Sequence, residues 1–332
     1  SAASDVYKRQ PEITVTIEAE GALAEPLRFP EPFVTGPGTY LVLPINEGVS
    51  FPVDDESVRL EYPNPWHNID RLEAYDGSRL SMAFFGACCA DTGAAYMCIL
   101  ETPDDGAVGV MRSGGLLCAS PEWDASKGAF SYARRVRYVF FDTGGHVAVC
   151  KRHRRYASQV GLLRTLAEKR DANPHVDLLL GAVNVWYWGD ALAQVREMQQ
   201  IGIERILWGV RQQPETVIAM NDIPGVLTSC YDEYHDVVNP ADFPRLKRWP
   251  KLREEFYRAA WPDDIAVDEQ GHWRRAWEFD GADGKRYASG LLCDTRLLKH
   301  ARPRITENLR THAYRCRFMD VTCATPWWEC YH

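Results

Sequence analysis

The segment 225-GVLTSCYDEYHD-236 decides the fold of the second half of the chain, because a short apolar run ends there in a dense polar cluster. Residues 225–231 predict a β-strand. Three further apolar runs predict strands at 176–185, 205–210 and 317–321. Three segments between them predict helices at 190–200, 214–221 and 303–311. This alternation is typical of a parallel sheet in an α/β architecture.

The number of predicted strands indicates how much of a barrel this part of the chain can form. A complete (β/α) barrel of the TIM type needs eight strand–helix units and about 250 residues. Residues 176–332 supply four predicted strands, so we expect the first half of such a barrel, with the chain ending before the remaining strands. A dinucleotide fold has no support, because no G-x-G-x-x-G follows the first predicted strand.

The first half of the chain has a different hydrophobic period. Residues 11–150 contain short stretches of period two, separated by turns rich in Gly and Asp, which predicts a β-sandwich. Residues 151–175 predict a linker helix, with helical apolar spacing over 156–169. Residues 1–10 resemble a translated sequencing adaptor and are set aside as non-native. The expected fold class is therefore α+β multidomain, a β-sandwich followed by a partial barrel.

Composition excludes several classes of partner. The formal net charge is -8, which argues against nucleic acid, because phosphate backbones attract basic surfaces. No apolar run approaches the ~18 residues that span a bilayer, so we expect no membrane partner. The 10 cysteines form no C-x-x-C motif, although Cys316, Cys323 and Cys330 recur every seven residues. We interpret them as thiols in a reducing compartment, which favours the cytoplasm, and expect neither a metal nor a cofactor.

Candidate binding residues follow the predicted strands, since active sites of barrels lie in the loops after the strands. Aromatic rings stack on sugar faces, and carboxylates and imidazoles bind hydroxyls. The candidates are Trp186, Trp188, Asp190, Tyr231, Asp232, His235, Asp236, Asp294, Trp327 and Trp328. We expect Trp186, Trp188, Asp232, His235 and Asp236 to line one pocket with Asp320. Structural roles are the alternatives: core packing for the tryptophans, and caps of helices or turns for the aspartates.

Asp320 is the candidate catalytic residue. It ends the apolar run 317–321, and an unpaired carboxylate is costly to bury there without a reason. Catalysis is one such reason. The alternative is a structural ion pair with Arg315 or Arg317.

Three short segments carry a family resemblance: 43-LPINEG-48, 231-YDEYHD-236 and 318-FMD-320. Over about residues 40–332 the chain resembles the α-N-acetylgalactosaminidase group, which comprises glycoside hydrolase families 101 and 129 and their uncharacterised relatives. The resemblance implies a galactose-mutarotase-like sandwich and a retaining mechanism with Asp320 as nucleophile. It also implies that a Glu on a later strand is the general acid/base.

Two functions follow from these observations. The first is a retaining glycoside hydrolase acting on an α-linked sugar of the N-acetylgalactosamine or galactose type. Since the later strand lies beyond His332, we expect this chain alone to be inactive, unless Glu329 folds back to supply the acid. The second is a non-catalytic carbohydrate-binding protein. A structural assembly module is a third and weaker interpretation.

Overall fold

The computed structural model describes residues 11–77, 79–248, 251–322, 325 and 327–332. The chain divides into two compact units. The first extends to Leu163 and includes Trp327, and the second begins at Arg164 and includes Trp328–His332. None of the helices described is both long and apolar enough to cross a bilayer.

The described part of the first unit is built mainly from antiparallel strands, as the period-two pattern predicted. These strands are β1 (Glu12–Ile17), β2 (Leu27–Arg28), β3 (Thr39–Leu43), β4 (Val49–Pro52), β5 (Arg71–Glu73), β6 (Phe84–Cys89), β7 (Ala95–Leu100), β8 (Gly106–Ser113), β9 (Leu116–Trp123) and β10 (Arg134–Phe141). One sheet has the order β1-β10-β7-β6-β3-β4, and the other has the order β2-β9-β8-β5. A short 3-10 helix covers Pro65–His67.

The two sheets share one hydrophobic core. Leu41 and Phe85 reach it from the larger sheet, whereas Val108 and Trp123 reach it from the smaller sheet, and all four are completely buried. Apolar side chains of alternating inward positions thus fill the space between two sheets, the usual solution for sheets with one apolar face. The further assignment to the galactose-mutarotase type stays a prediction.

Two helices replace the single helix predicted over 156–169. The first, α1 (Gly145–Gln159), begins earlier, after Gly144 in the left-handed region at φ +98°. Gly161, at φ +79°, follows the end of α1 in a conformation that few other residues adopt. The second helix, α2 (Leu166–Ala172), starts at a capping box in which Thr165 and Glu168 bond reciprocally. The prediction of one continuous helix was wrong because these two local signals outweigh the apolar spacing.

The second unit contains a parallel sheet and a smaller antiparallel sheet. Its strands are β11 (Val183–Val185), β12 (Ile206–Trp208), β13 (Val226–Asp232), β14 (Asp236–Val237), β15 (Arg275–Asp280), β16 (Arg286–Leu291) and β17 (Cys316–Met319). Besides α2, its helices are α3 (Ala191–Gln200), α4 (Pro214–Asn221), α5 (Glu254–Ala260) and α6 (Leu297–His312). Its 3-10 helices are Pro174–Leu179, Pro240–Arg245, Lys251–Arg253 and Asp294–Arg296.

The parallel sheet has the order β11-β12-β13-β17. Four predicted strands therefore exist, and α3 and α4 confirm two predicted helices. The predicted strand 176–185 was wrong over most of its length. Asn173 and Pro174 start a 3-10 helix there, with the Asn173 side chain accepting from the His175 N–H at 3.1 Å. The completion of the sheet to a barrel stays a prediction.

The segment between β13 and β17 forms a structure that the sequence did not predict. It contributes the antiparallel sheet β14-β16-β15, helix α5 and a helix α6 longer than the predicted 303–311. Its core buries Tyr234, Phe256, Tyr257, Ile265 and Leu292. Apart from the adjacent Phe256 and Tyr257, these residues are widely spaced in the sequence and follow no period, so pattern analysis could not recognise the core that they form.

Truncating Phe85 tests the shared core of the first unit. We expect Phe85→Ala to lower the free energy of unfolding by about 3–5 kcal/mol, because it removes a buried ring and leaves a cavity. Val34→Ala is the matched control, since Val34 is 96% exposed, and it should change stability by less than about 0.5 kcal/mol. Urea unfolding followed by circular dichroism measures both changes. Equal effects of the two variants would contradict the core assignment.

Candidate active site

The carboxyl ends of the four parallel strands lie at one edge of the sheet. Trp186 follows β11, and Asp320 follows β17. Because Tyr231 in β13 pairs directly with Phe318 in β17, their side chains share one face. The edge therefore combines a carboxylate with several aromatic rings.

Asp320 is held by a neighbouring hydroxyl. The Tyr231 hydroxyl donates to Asp320 Oδ2 at 2.6 Å, and the Asp320 backbone N–H donates to the Asp232 carbonyl at 2.9 Å. Burial, together with the hydrogen bond and charge of Asp320, raises the pKa of Tyr231. The phenol therefore stays protonated and donates to the carboxylate. The carboxylate is half-buried, so a ligand can approach it.

Three rings form an aromatic wall beside this pair. The Trp186 and Phe318 ring centroids are 5.3 Å apart in an edge-to-face arrangement, and Tyr231 stacks on Phe318 at 5.9 Å. Trp186 also meets Tyr231 edge-to-face at 6.2 Å. Such contacts restrict ring rotation and fix the direction of the Tyr231 hydroxyl.

A buried ion pair lies next to the Tyr231 ring. The Arg253 guanidinium lies 5.3 Å from the Tyr231 ring centroid and donates to Glu233 Oε2. Glu233 is 1% exposed, and its second oxygen accepts from the Asp236 N–H. Burial raises the pKa of Glu233 to about 7 against the opposing charge of Arg253, and Asp236 adds to the rise. Glu233 thus connects the loop after β13 to the Tyr231–Asp320 pair.

His235, Asp236 and Asp294 form an adjacent group. His235 Nδ1 lies 2.9 Å from Asp236 Oδ1, which also accepts from the Trp277 N–H at 3.2 Å. His235 Nε2 is buried and has no hydrogen-bond partner among the described residues. Burial raises the pKa of Asp294, with His235 opposing the rise. The group offers carboxylate and imidazole atoms to a polar ligand.

Asp232 has a different environment from its neighbour Tyr231. It is 1% exposed, and its carboxylate accepts from Arg317 at 2.6 Å and from Tyr234 at 2.7 Å. Arg304 of α6 lies 3.3 Å from the second oxygen. Successive residues of a strand point to opposite faces, so these contacts separate Asp232 from the Tyr231–Asp320 pair. Its predicted place in a sugar pocket has no supporting contact.

Arg315 and Arg317 were the predicted ion-pair partners in the structural alternative for Asp320. Arg317 instead contacts Asp232, and Arg315 donates to the Asn221 carbonyl at 2.9 Å. The described hydrogen bond of the Asp320 carboxylate is thus with Tyr231 rather than with either arginine.

The remaining predicted residues are not joined to this network by the described contacts. Asp190 caps α3, its Oδ1 accepting from the Ala193 N–H at 3.0 Å. Trp188 is 78% exposed. Trp327 belongs to the first unit, whereas Trp328 lies under Arg274 of the second. Glu329 accepts from the Tyr331 hydroxyl at 3.1 Å.

Sequence analysis missed Glu233, Arg253, Phe318 and Trp277 as members of the network. Glu233 and Phe318 stood within the quoted motifs, so their positions at strand ends were a usable signal. Arg253 and Trp277 come from the segment between β13 and β17, where no pattern marks them.

Comparison with known proteins identifies the fold. Neither a family model nor a curated protein matches the chain. Among solved structures, the α-N-acetylgalactosaminidase NagBb from Bifidobacterium bifidum in complex with GalNAc matches with a TM-score of 0.74 and 18% identity. The match covers 97% of this chain and 56% of that enzyme. Its complex with Gal-NHAc-DNJ matches with a TM-score of 0.69 and 21% identity, over 92% of this chain and 53% of that one.

These matches show a shared fold. The chain spans just over half the length of the solved structures it resembles. At this level of identity, function has to be argued from the site itself.

The pH dependence of stability tests the environment of Glu233. Its pKa rises from 4.5 to about 7 on folding, so the folded state binds more protons than the unfolded state between these values. Below pH 4.5 the raised pKa of Glu233 contributes fully to the free energy of unfolding. This contribution of about 3 kcal/mol is lost as the pH rises to 7. We expect Glu233→Gln to abolish this loss in urea unfolding measured from pH 4 to 8.

Glu197→Gln is the control for this titration, because Glu197 is an exposed glutamate of α3. This variant should keep the pH slope of the parent protein. An unchanged slope in Glu233→Gln would show that Glu233 titrates at an ordinary pKa.

Proposed function

We propose that the protein is a retaining glycoside hydrolase acting on an α-linked sugar of the N-acetylgalactosamine or galactose type, with Asp320 as nucleophile. The observation that carries the proposal is the Asp320 carboxylate after the fourth parallel strand, oriented by the Tyr231 hydroxyl at 2.6 Å. The fold shared with an α-N-acetylgalactosaminidase supports it. Membership of families 101 and 129 is a finer part of the same proposal.

The chemistry begins at the Asp320 carboxylate. A retaining enzyme uses one carboxylate to attack the anomeric carbon and a second carboxyl group, about 5–5.5 Å away, to protonate the leaving oxygen. Tyr231 donates to Oδ2, and the proposal assigns the attack to the other oxygen of Asp320. In the proposal a glutamate of a later strand serves as the acid, as the family resemblance implies.

Sugar recognition is assigned to the groups around Asp320. Trp186 offers an aromatic surface beside the Tyr231–Asp320 pair, suited to the apolar face of a galactose-type ring. His235, Asp236 and Asp294 offer acceptors and a donor for sugar hydroxyls. The buried His235 Nε2 has no hydrogen-bond partner among the described residues, and a sugar hydroxyl would supply one.

The alternative function is carbohydrate binding without cleavage. The exposed ring of Trp188 favours this alternative, because an aromatic ring can hold a sugar without a catalytic carboxylate. The two functions differ in what they require of Asp320. Hydrolysis needs its ionised oxygen, whereas a binding protein keeps its affinity when an amide replaces the carboxylate.

Substituting Asp320 tests the reaction. We expect Asp320→Asn to abolish hydrolysis of α-linked N-acetylgalactosaminides and galactosides, because it removes the attacking oxygen. An activated fluoro-sugar should label the Asp320 peptide, as read by mass spectrometry after proteolysis. The assay uses a protein that carries this chain together with whatever its gene encodes after residue 332.

Asp171→Asn, an exposed aspartate of α2, is the control and should retain activity and labelling. Labelling of another carboxylate, or near-normal turnover by Asp320→Asn, would overturn the assignment. Sugar binding without turnover in the parent protein would favour the alternative.

Removing one hydroxyl tests the role of Tyr231. Hydrogen bonds to charged groups contribute about 1.5–3 kcal/mol, so Tyr231→Phe should lower kcat/KM about 10- to 100-fold. Tyr187→Phe removes a hydroxyl from the loop after β11 and should have little effect. Steady-state kinetics of both variants measure the difference, and equal kinetics would remove Tyr231 from the mechanism.

A further inference from the structure

Two thiols and an imidazole converge in the second unit. The Sγ atoms of Cys293 and Cys330 and a ring nitrogen of His332 all lie within 4.8 Å of one another. Cys330 Sγ and His332 Nδ1 are 3.3 Å apart. The sequence predicted no metal site, because the cysteines form no C-x-x-C motif and the spacing of seven between Cys316, Cys323 and Cys330 is not that of a zinc site.

Backbone contacts hold these residues in place. Cys293 follows β16, is 4% exposed, and donates its N–H to the Asp264 carbonyl at 2.9 Å. The Tyr331 N–H donates to the Val267 carbonyl at 3.1 Å, and Arg274 donates to the Glu329 carbonyl at 2.8 Å. Cys330 and His332 flank Tyr331, two residues apart along this anchored segment.

We propose that Cys293, Cys330 and His332 form a Zn²⁺ site. Two thiolates and one imidazole are ligands that Zn²⁺ prefers over Mg²⁺ or Ca²⁺, which take oxygen ligands. Zn–S distances of about 2.3 Å and Zn–N distances of about 2.0–2.1 Å place tetrahedral donor atoms roughly 3.5–3.8 Å apart. Cys330 Sγ and His332 Nδ1 are 3.3 Å apart, and all three donor atoms lie within 4.8 Å of one another, so small side-chain shifts would bring them to that spacing.

The chemistry of the cluster fits a metal better than packing alone. Cys293 lies in an apolar cluster with Ala266 and Leu291, against which Cys330 packs. Apolar packing accounts for the two thiols, and the 3.3 Å contact between Cys330 Sγ and His332 Nδ1 is a hydrogen bond whose two atoms both become metal ligands on losing their protons. His332 is exposed, so water completes the fourth position.

The proposed role is structural. The metal joins the segment 328–332 to the start of the 3-10 helix Asp294–Arg296, which carries the candidate residue Asp294. This inference does not depend on the proposed hydrolase function, because its readouts are metal content, spectra and thiol protection.

Metal analysis of the 332-residue protein tests the site. After Zn²⁺ loading and removal of loosely bound metal, we expect about one Zn²⁺ per chain. Cys293→Ser, Cys330→Ser and His332→Ala should each lower this content toward zero, because three ligands are needed for tight binding. Cys150→Ser and Cys316→Ser, which alter cysteines outside the cluster, should retain the metal.

Two further measurements keep the test independent of folding. Co²⁺ in place of Zn²⁺ should give a thiolate-to-metal charge-transfer band that Cys293→Ser and Cys330→Ser weaken, while circular dichroism confirms that the variants fold. Zn²⁺ should also protect Cys293 and Cys330, but not the exposed Cys150, from alkylation as mapped by mass spectrometry.

The proposal is overturned if zinc content is unchanged in all three variants. It is also overturned if the folded parent protein binds no Zn²⁺ after reduction, or if Cys293 and Cys330 form a disulfide that persists under mild reductant.

Discussion

The burial of one carboxylate determines how the second unit is arranged. Asp232 is almost completely buried, and a carboxylate in that position is stable only if its charge is compensated. Arg317 of β17 supplies that charge at 2.6 Å, and Arg304 of α6 lies at 3.3 Å. Because β13 and β17 are separated by a long segment, this ion pair helps fix their register. The register in turn pairs Tyr231 with Phe318, which brings the Tyr231 hydroxyl within hydrogen-bond distance of Asp320.

The segment between β13 and β17 therefore does more than connect two strands. Its separate core of aromatic and aliphatic residues holds α5 and α6, and the preceding 3-10 helix positions Arg253 beside Tyr231. Arg253, itself held by Glu233, and Phe318 then both limit the movement of the Tyr231 ring. Orientation of the Asp320 carboxylate thus depends on residues far from it in sequence.

Local signals predicted the regular elements but not their long-range contacts. Strand β13 is a clear apolar run, α3 is capped by Asp190, and α4 starts with Pro214 in its first turn, and the predictions of all three were confirmed. The strand proposed over 176–185 was wrong because a capped 3-10 helix occupies its first part. The role of Asp320 stays a prediction from its strand-end position, whereas Arg253 was not predicted at all, because a side chain that acts through a tertiary contact leaves no periodic signal.

The polar cluster 231-YDEYHD-236 shows why adjacent residues cannot share one role. Alternation along β13 sends Tyr231 and Asp232 to opposite faces. Tyr231 consequently meets the aromatic wall and Asp320, while Asp232 meets the arginines that hold β17 and α6. A dense polar motif at a strand end is thus divided by the pleat into a part that faces the aromatic wall and Asp320 and a part whose buried charge is compensated by arginines. The ion pairs of Asp232 hold β17 and so position Asp320 beside Tyr231. Both parts of the motif are therefore needed for the candidate site.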